Sequence, residues 1–227
     1  VLMTQEGFFP CRGQWYLPAG RVDPNEDLLS AVAREVREET GMEFVPRALL
    51  HVEIPNGNWV RFTFTGETTG GRLRTLAEQD GETMQGGWWP VEKILEAANN
   101  LDREFQLRGK DIVKLILSGR ERHQLGAAGV MKSILPQPVR HDSLIMRLLL
   151  ISCHGEEVAV LVHHNKARQT VLPTVDYCPS DMKPRDVVLH LIQTAIGSVQ
   201  RVIWRGLAAI EHTGLSRGID DGHCLTQ

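Results

Sequence analysis

Apolar residues recur in two rhythms along this chain, and the change of rhythm marks its elements. Between Asp23 and Gly41, Leu29, Val32, Ala33, Val36 and Thr40 fall on one side at ~100° per residue. This spacing predicts a helix over 26–40. Asp23, Pro24 and Glu26 read as its start: a capping side chain, a proline where no donor is needed, and a box partner. Asn25 and Asp27 are alternative caps. Gly41 suits a left-handed stop just past the last turn. Shorter apolar runs read as strands. Residues 15–17 precede a turn at Pro18-Ala19-Gly20, and 49–54 and 59–65 form a hairpin about Asn56-Gly57. Gly70-Gly71 breaks the pattern before a loop that runs to Gln85. Trp88 and Trp89 open another strand, and 111–123 reads as an amphipathic helix with Ile112, Leu115, Ile116 and Leu117 as its inward candidates.

The later part has its own punctuation. Gly, Ala and Pro over 126–138 read as a linker. Then 142–153 and 157–163 look like a strand pair turning at Gly155-Glu156. Val171-Leu172-Pro173 follows, then a polar loop, a helix over 185–196 ending at Gly197, and strand material over 199–210. Leu17 to Gly41 spans 24 positions and Leu172 to Gly197 spans 25, with the same order of elements. The expected organisation is therefore a first domain over 1–125, a linker over 126–139 and a smaller α/β domain over 140–227. The last is readable as a degenerate copy of the first, or as an unrelated α/β appendage. Aligned on the terminal glycine, Glu35, Glu38 and Glu39 fall opposite Leu191, Thr194 and Ala195, so the copy would hold no acidic cluster.

Charge changes the picture at the first helix. Glu35, Glu38 and Glu39 stand at i, i+3 and i+4, which share one helix face. They crowd the last turns, where the helix dipole disfavours anions by ~0.3–1 kcal/mol each. Arg34 can pair with Glu38, but the rest of the cluster stays unbalanced. Hard divalent cations prefer all-oxygen sites of this kind, often shared with a substrate phosphate.

The 23 residues from Gly20 to Met42 fit G-x5-E-x7-R-E-U-x-E-E-x-G-U, with Val36 and Met42 at the bulky apolar positions U. The segment thereby resembles the signature of Nudix hydrolases. The likeness extends to the run from Arg12 to Gly20, to Trp59-Val60-Arg61-Phe62-Thr63-Phe64, to Thr69-Gly70-Gly71 and to Glu82 through Pro90. It continues through Leu107–Ile112 and the segment from Asp221 to Leu225. In these segments the chain is most similar to the animal 8-oxo-dGDP phosphatase branch of MutT homologues. The resemblance implies an α/β/α sandwich with a mixed sheet and a site for Mg2+, with Mn2+ as substitute. The implied reaction is hydrolysis of a nucleoside diphosphate linked to some moiety X. It also implies a metal set of Glu35, Glu38 and Glu39, with the Gly20 carbonyl and a fourth carboxylate from the later loop. Glu82 is the candidate for that carboxylate and Asp80 the alternative. Arg34 is expected to orient a box glutamate, and Glu35 or Glu38 to be the general base. Leu17, Trp88, Arg108 and Asp111 are the candidates for holding the base, although at least one of Trp88 and Trp89 is expected in the core.

Composition limits the partners. At 42% apolar residues, the 227-residue chain has enough for a real core. A net charge of −3 gives no reason to expect a nucleic acid polymer. The four cysteines are dispersed, which favours reduced thiols and a cytoplasmic setting. The longest apolar stretch, 144–151, contains Arg147 and is too short for a ~30 Å bilayer. His51, His163 and His164 have no ligand spacing. The family pattern also reads the chain as starting inside a second strand and stopping where relatives continue as a strand. The expected partner is a small nucleotide. Alternatives are a different diphosphate, such as ADP-ribose or a dinucleoside polyphosphate, and a binding module without catalysis. Oligomeric state is not legible.

Overall fold

Strand β1 (Leu2–Glu6) divides the N-terminal half into two layers. Successive side chains on a strand point to opposite faces. Leu2 joins a core with Leu28, Ala31, Val32 and Val36 of helix α1 (Leu28–Thr40) and Phe44, Phe62 and Phe64. Met3, the next residue, joins a second core with Trp15, Leu17, Ile94, Phe105, Ile112 and Leu115. Helices α2 (Val91–Asn99) and α3 (Ile112–Ala127) belong to that second core. Helices thus lie on both sides of the sheets, as an α/β/α sandwich requires. The computed structural model describes residues 1–53, 60–99, 105–127, 134–139, 145–176, 184–197 and 223–226.

Two sheets make the filling. Strand β1 pairs antiparallel with β2 (Trp15–Tyr16) and with β6 (Thr83–Trp88). The other sheet is mixed, in the order β3 (Ala19–Gly20), β13 (His223–Thr226), β5 (Val60–Gly71), β4 (Met42–Glu53). β13 runs antiparallel to β3 and parallel to β5. β4 and β5 form a long antiparallel pair with Leu49 opposite Phe64. Their turn lies outside the described residues.

Helix α1 begins two residues later than its periodicity predicts. Asn25 has φ of 64°, which no right-handed helix accommodates. Asp27 is the cap: its Oδ1 accepts from the N–H of Leu29 at 2.9 Å and of Ser30 at 3.0 Å. The inward face is also rotated from the expectation. Leu28, Ala31, Val32, Val36 and Thr40 are buried, whereas Leu29 and Ala33 are only partly covered. Gly41, at φ 78°, closes the helix with its N–H on the Arg37 carbonyl.

Other boundaries shift too. β6 runs up to Trp88 rather than starting there, and Trp89 turns into the second core against Trp15 and Phe105. In α3, Ile112, Leu115 and Ile116 are buried as their spacing requires.

In the C-terminal part, β7 (Ile145–Arg147) pairs with β12 (Thr174–Asp176). β8 (Ile151–His154) pairs with β9 (Glu157–Val160), and β10 (His163–His164) with β11 (Thr170–Val171). Helix α4 (Pro184–Ile196) buries Val187 and Leu191 against Met146, Leu148 and Val175. It ends at Gly197 (φ 84°), whose N–H bonds the Gln193 carbonyl, as Gly41 does for α1. The expected strand over 199–210 lies outside the described residues. The described C-terminal strands form separate pairs and do not repeat the four-stranded order of the first half. The expected boundary is corrected at its end: β13, assigned above to a separate domain over 140–227, completes the first sheet by pairing with β3 and β5.

Candidate carboxylate site

The rotation of α1 separates its three acids. Glu35 and Glu39, one turn apart, lie beside the buried Leu28 and Ala31 and turn toward β3. Glu38 points outward, with its side chain 54% exposed against 13% for Glu35. The single ridge expected from i, i+3, i+4 spacing is therefore an inward pair with an outward neighbour. Glu39 Oε2 accepts the backbone N–H of Ala19 at 3.1 Å. Gly20 accounts for the fit of Glu35. A Cβ there would stand 2.0 Å from the Glu35 carboxylate, so only glycine leaves that carboxylate its place.

Arg34 ties the acids together. Its Nε and Nη2 donate to the two oxygens of Glu26 at 2.9 and 2.8 Å. Nη1 donates to Glu35 Oε1 at 2.8 Å and to Glu38 Oε2 at 3.1 Å, and Nη2 also reaches the Arg21 carbonyl at 2.8 Å. A planar guanidinium held bidentate by one carboxylate presents its remaining edge in a fixed direction. Glu26, read from sequence as a capping partner, is thus the residue that fixes Arg34. Its invariant place in the signature was the available signal. Burial acts to raise the Glu26 carboxyl, but the bonds from Arg34 and the Asp23 N–H bring it below the usual value.

Burial raises the carboxyls of both inward acids. For Glu35, Arg34 opposes this while Glu38 and Glu26 add to it. Glu39 is pushed well up, first by burial; the Ala19 N–H opposes, and the charges of Glu35, Glu6 and Glu82 add to the rise. Glu82 is thus near enough for its charge to be felt at Glu39. Asp80, the alternative, is taken up in its own loop: it pairs with Arg74 at 2.5 Å and accepts from the N–H of Glu82 and Thr83.

Among the described residues, no three of His, Cys, Asp or Glu converge in metal-ligand geometry. The chemistry nevertheless suits a hard divalent cation. The donors are all oxygen, the space at Gly20 is one that a Cβ would fill, and the buried negative charge exceeds its counter-charge. Glu35 and Glu39 each use one carboxylate oxygen in these bonds, and a carboxylate has a second with which to accept. A cavity of about 440 Å3 opens beside Glu38, lined also by Arg37, Gly41, Arg72, Arg74 and Glu78.

A polar group lies at the other side of β2. Arg108 Nη1 donates to Glu6 Oε1 at 2.7 Å, and its guanidinium carbon sits 4.9 Å from the centre of the Tyr16 ring. The Tyr16 hydroxyl donates to Asp111 Oδ2 at 2.6 Å, and Arg61 Nη1 donates to the same oxygen at 2.7 Å. Burial acts to raise Asp111, but these two donors bring it below its ordinary range. Arg61 had a legible signal, a charge inside an apolar strand; Glu6 and Tyr16 had none. Two expected residues do not join this group. Leu17 is sealed in the second core at 3% exposure. Trp88 is exposed, but it pairs with Leu2 while Thr83 pairs with Glu6, which puts it roughly 13 Å along the strand from that end.

The NUDIX domain family matches residues 1–108. The 8-oxo-dGDP phosphatase NUDT18 of Danio rerio is 33% identical over 229 residues, covering 99% of this chain and 67% of that protein. The chain belongs to the Nudix family. Within it, NUDT18 of Homo sapiens, also named an 8-oxo-dGDP phosphatase, is 34% identical over 99% of this chain and 66% of its own length. The putative nudix hydrolase 1 of Caenorhabditis elegans is 32% identical over 78% of this chain and 49% of its own. The chain spans about two thirds of the length of the NUDT18 relatives. Among solved structures, a NUDIX hydrolase from Nitrosomonas europaea is 23% identical, with a TM-score of 0.44 over 58% of this chain and 82% of that one. Among the described residues, no helix is long and apolar enough to cross a membrane.

Proposed function

We propose that this chain is a divalent-metal-dependent hydrolase of nucleoside diphosphates, with 8-oxo-dGDP the foremost substrate and Mg2+ or Mn2+ the ion. The observation that carries the reading is the inward pair Glu35 and Glu39, held against Gly20 and Ala19 respectively and left with more negative charge than Arg34 balances. The relatives' names supply the substrate class. In the reaction water attacks phosphorus, the bond from phosphorus to the bridging oxygen breaks, and nucleoside monophosphate and inorganic phosphate leave.

Glu35, Glu38, Glu39, the Gly20 carbonyl and Glu82 would hold the ion. Bound there, it would neutralise phosphoryl charge and lower the pKa of a coordinated water. Glu35 or Glu38 takes the proton of the attacking water, since both carboxylates stand beside Arg34 and a base must lie within hydrogen-bond reach. Arg34 orients them. Arg37, Arg72 and Arg74, which line the cavity together with Glu38, suit phosphate oxygens. Arg108 and Asp111, with Tyr16 and Arg61, supply polar groups for the base edge. The C-terminal strand pairs and helix α4 act in packing or in shaping the pocket.

A hydrolysis panel with product identification tests the reading. Phosphate released from 8-oxo-dGDP but not from 8-oxo-dGTP supports it. Faster cleavage of ADP-ribose or a dinucleoside polyphosphate moves the substrate elsewhere in the family. No cleavage of any member despite Mg2+ binding makes the chain a binding module.

A further inference from the structure

Glu6 stands outside the signature yet reaches the same cluster. β1 and β6 change register between Gln5 and Glu6, so that Glu6 faces Thr83 rather than Met84. Such a bulge bends the strand and re-aims its side chains. The next residue clamps the strand end to the acidic loop: Gly7 N–H bonds the Glu82 carbonyl at 2.7 Å, and a Cβ at Gly7 would meet the Gly81 carbonyl oxygen at 2.7 Å. Glu6 is thus held beside Glu82, with its side chain 16% exposed and its charge felt at Glu39. Its counter-ion is Arg108, which is 46% exposed and rests over the Tyr16 ring. Arg108 therefore touches the acidic cluster's periphery with one group and solvent with others.

We propose that Glu6 is a positioning residue through which Arg108 sets the charge of the carboxylate cluster, so that drawing Arg108 onto a nucleotide tightens divalent-cation binding. The nucleotide half rests on the reading of Arg108 given above; the charge half does not. While Arg108 stays on Glu6, one negative charge near Glu39 is masked. When an acceptor on the nucleotide takes the guanidinium, that charge acts in full on the cation. Such coupling is reciprocal: the cation must tighten nucleotide binding by the same factor.

Mn2+ titration of the full chain, followed by the electron paramagnetic resonance of unbound Mn2+, tests this without turnover. Without nucleotide, Glu6→Gln weakens Mn2+ binding roughly tenfold, the scale of groups just outside a coordination sphere. Arg108→Ala tightens it. Added 8-oxo-deoxyguanosine, which offers the base edge without a phosphate to coordinate Mn2+ itself, tightens Mn2+ binding to the wild type and leaves Arg108→Ala unchanged. Arg108 is exposed enough for its variant to fold even if Glu6→Gln does not, so the sign of its effect decides alone. Unaltered or weaker Mn2+ binding in nucleotide-free Arg108→Ala overturns the proposal. So does an equal response of wild type and Arg108→Ala to 8-oxo-deoxyguanosine, including no response in either. A wild type that takes up no Mn2+ overturns instead the hydrolase reading on which the nucleotide half depends.

Discussion

A methyl group added at Gly20 would fall 2.0 Å from the Glu35 carboxylate, in space that the backbone of β3 cannot vacate without leaving its sheet. Gly20→Ala is therefore expected to displace Glu35 and weaken Mn2+ binding at least tenfold, with little change in circular dichroism. Calorimetric Mn2+ titration checks it; wild-type affinity in the variant contradicts the cradle. At this scale the sequence was most legible where spacing is chemistry. Glu35, Glu39, Arg34 and Gly20 all stand in one constellation. It was least legible where a partner comes from afar: nothing near Arg108 indicates Glu6, 102 positions away. Leu17 misled because an apolar residue on a short strand reads alike as pocket wall and as core.

Among the elements, α1 sets the site because its phase decides which acids turn inward. Its start is fixed by Asp27, whose carboxylate accepts two backbone N–H groups and the Ser30 hydroxyl. Asp27→Ala should cost about 1 kcal/mol, a fall in Tm of roughly 2–4 °C for a chain of this size, measured by thermal unfolding. An unchanged Tm argues that the cap contributes nothing. Periodicity located this helix and its glycine stop, but not its phase. The expected apolar side left out Leu28 and Ala31, and the structure buries both. A window of apolar residues wide enough for two orientations does not choose between them; the neighbouring sheet does. The strand at Trp88 was misplaced: β6 ends there, and Trp89, just beyond it, turns into the second core.

Across the molecule, strand β13 joins the C-terminal end of the chain to the residue pair that carries Gly20. Leu225 stands opposite Gly20 on one side and Phe62 on the other. Proline there removes a ladder donor from an inner strand. Leu225→Pro should lower Tm and weaken Mn2+ binding together; a lower Tm with unchanged binding contradicts the link. This pairing was hidden from sequence because it joins segments some 200 positions apart, a separation over which local pattern carries no register. The charge of the site also has a whole-molecule consequence. Glu39 has a carboxyl raised above its unfolded value, so the folded chain binds that proton more tightly. The cost of ionising it is absent below the unfolded value near 4.5 and grows as pH rises through the folded one. A divalent cation offsets that cost. The rise in Tm given by 5 mM Mn2+, about a typical working excess, should increase from pH 5 to pH 7.5; a rise that is constant or falls with pH contradicts the assignment.

The most direct measurement is phosphate release from 8-oxo-dGDP by wild type and Glu39→Gln in excess Mg2+. The glutamine keeps an oxygen for the Ala19 N–H while removing the charge, so the fold should survive, with a Tm at neutral pH equal to or above that of the wild type. The expected result is a loss in kcat of more than about a hundredfold in a folded protein. Near-normal hydrolysis by Glu39→Gln would mean that the inward carboxylates do not hold the working ion.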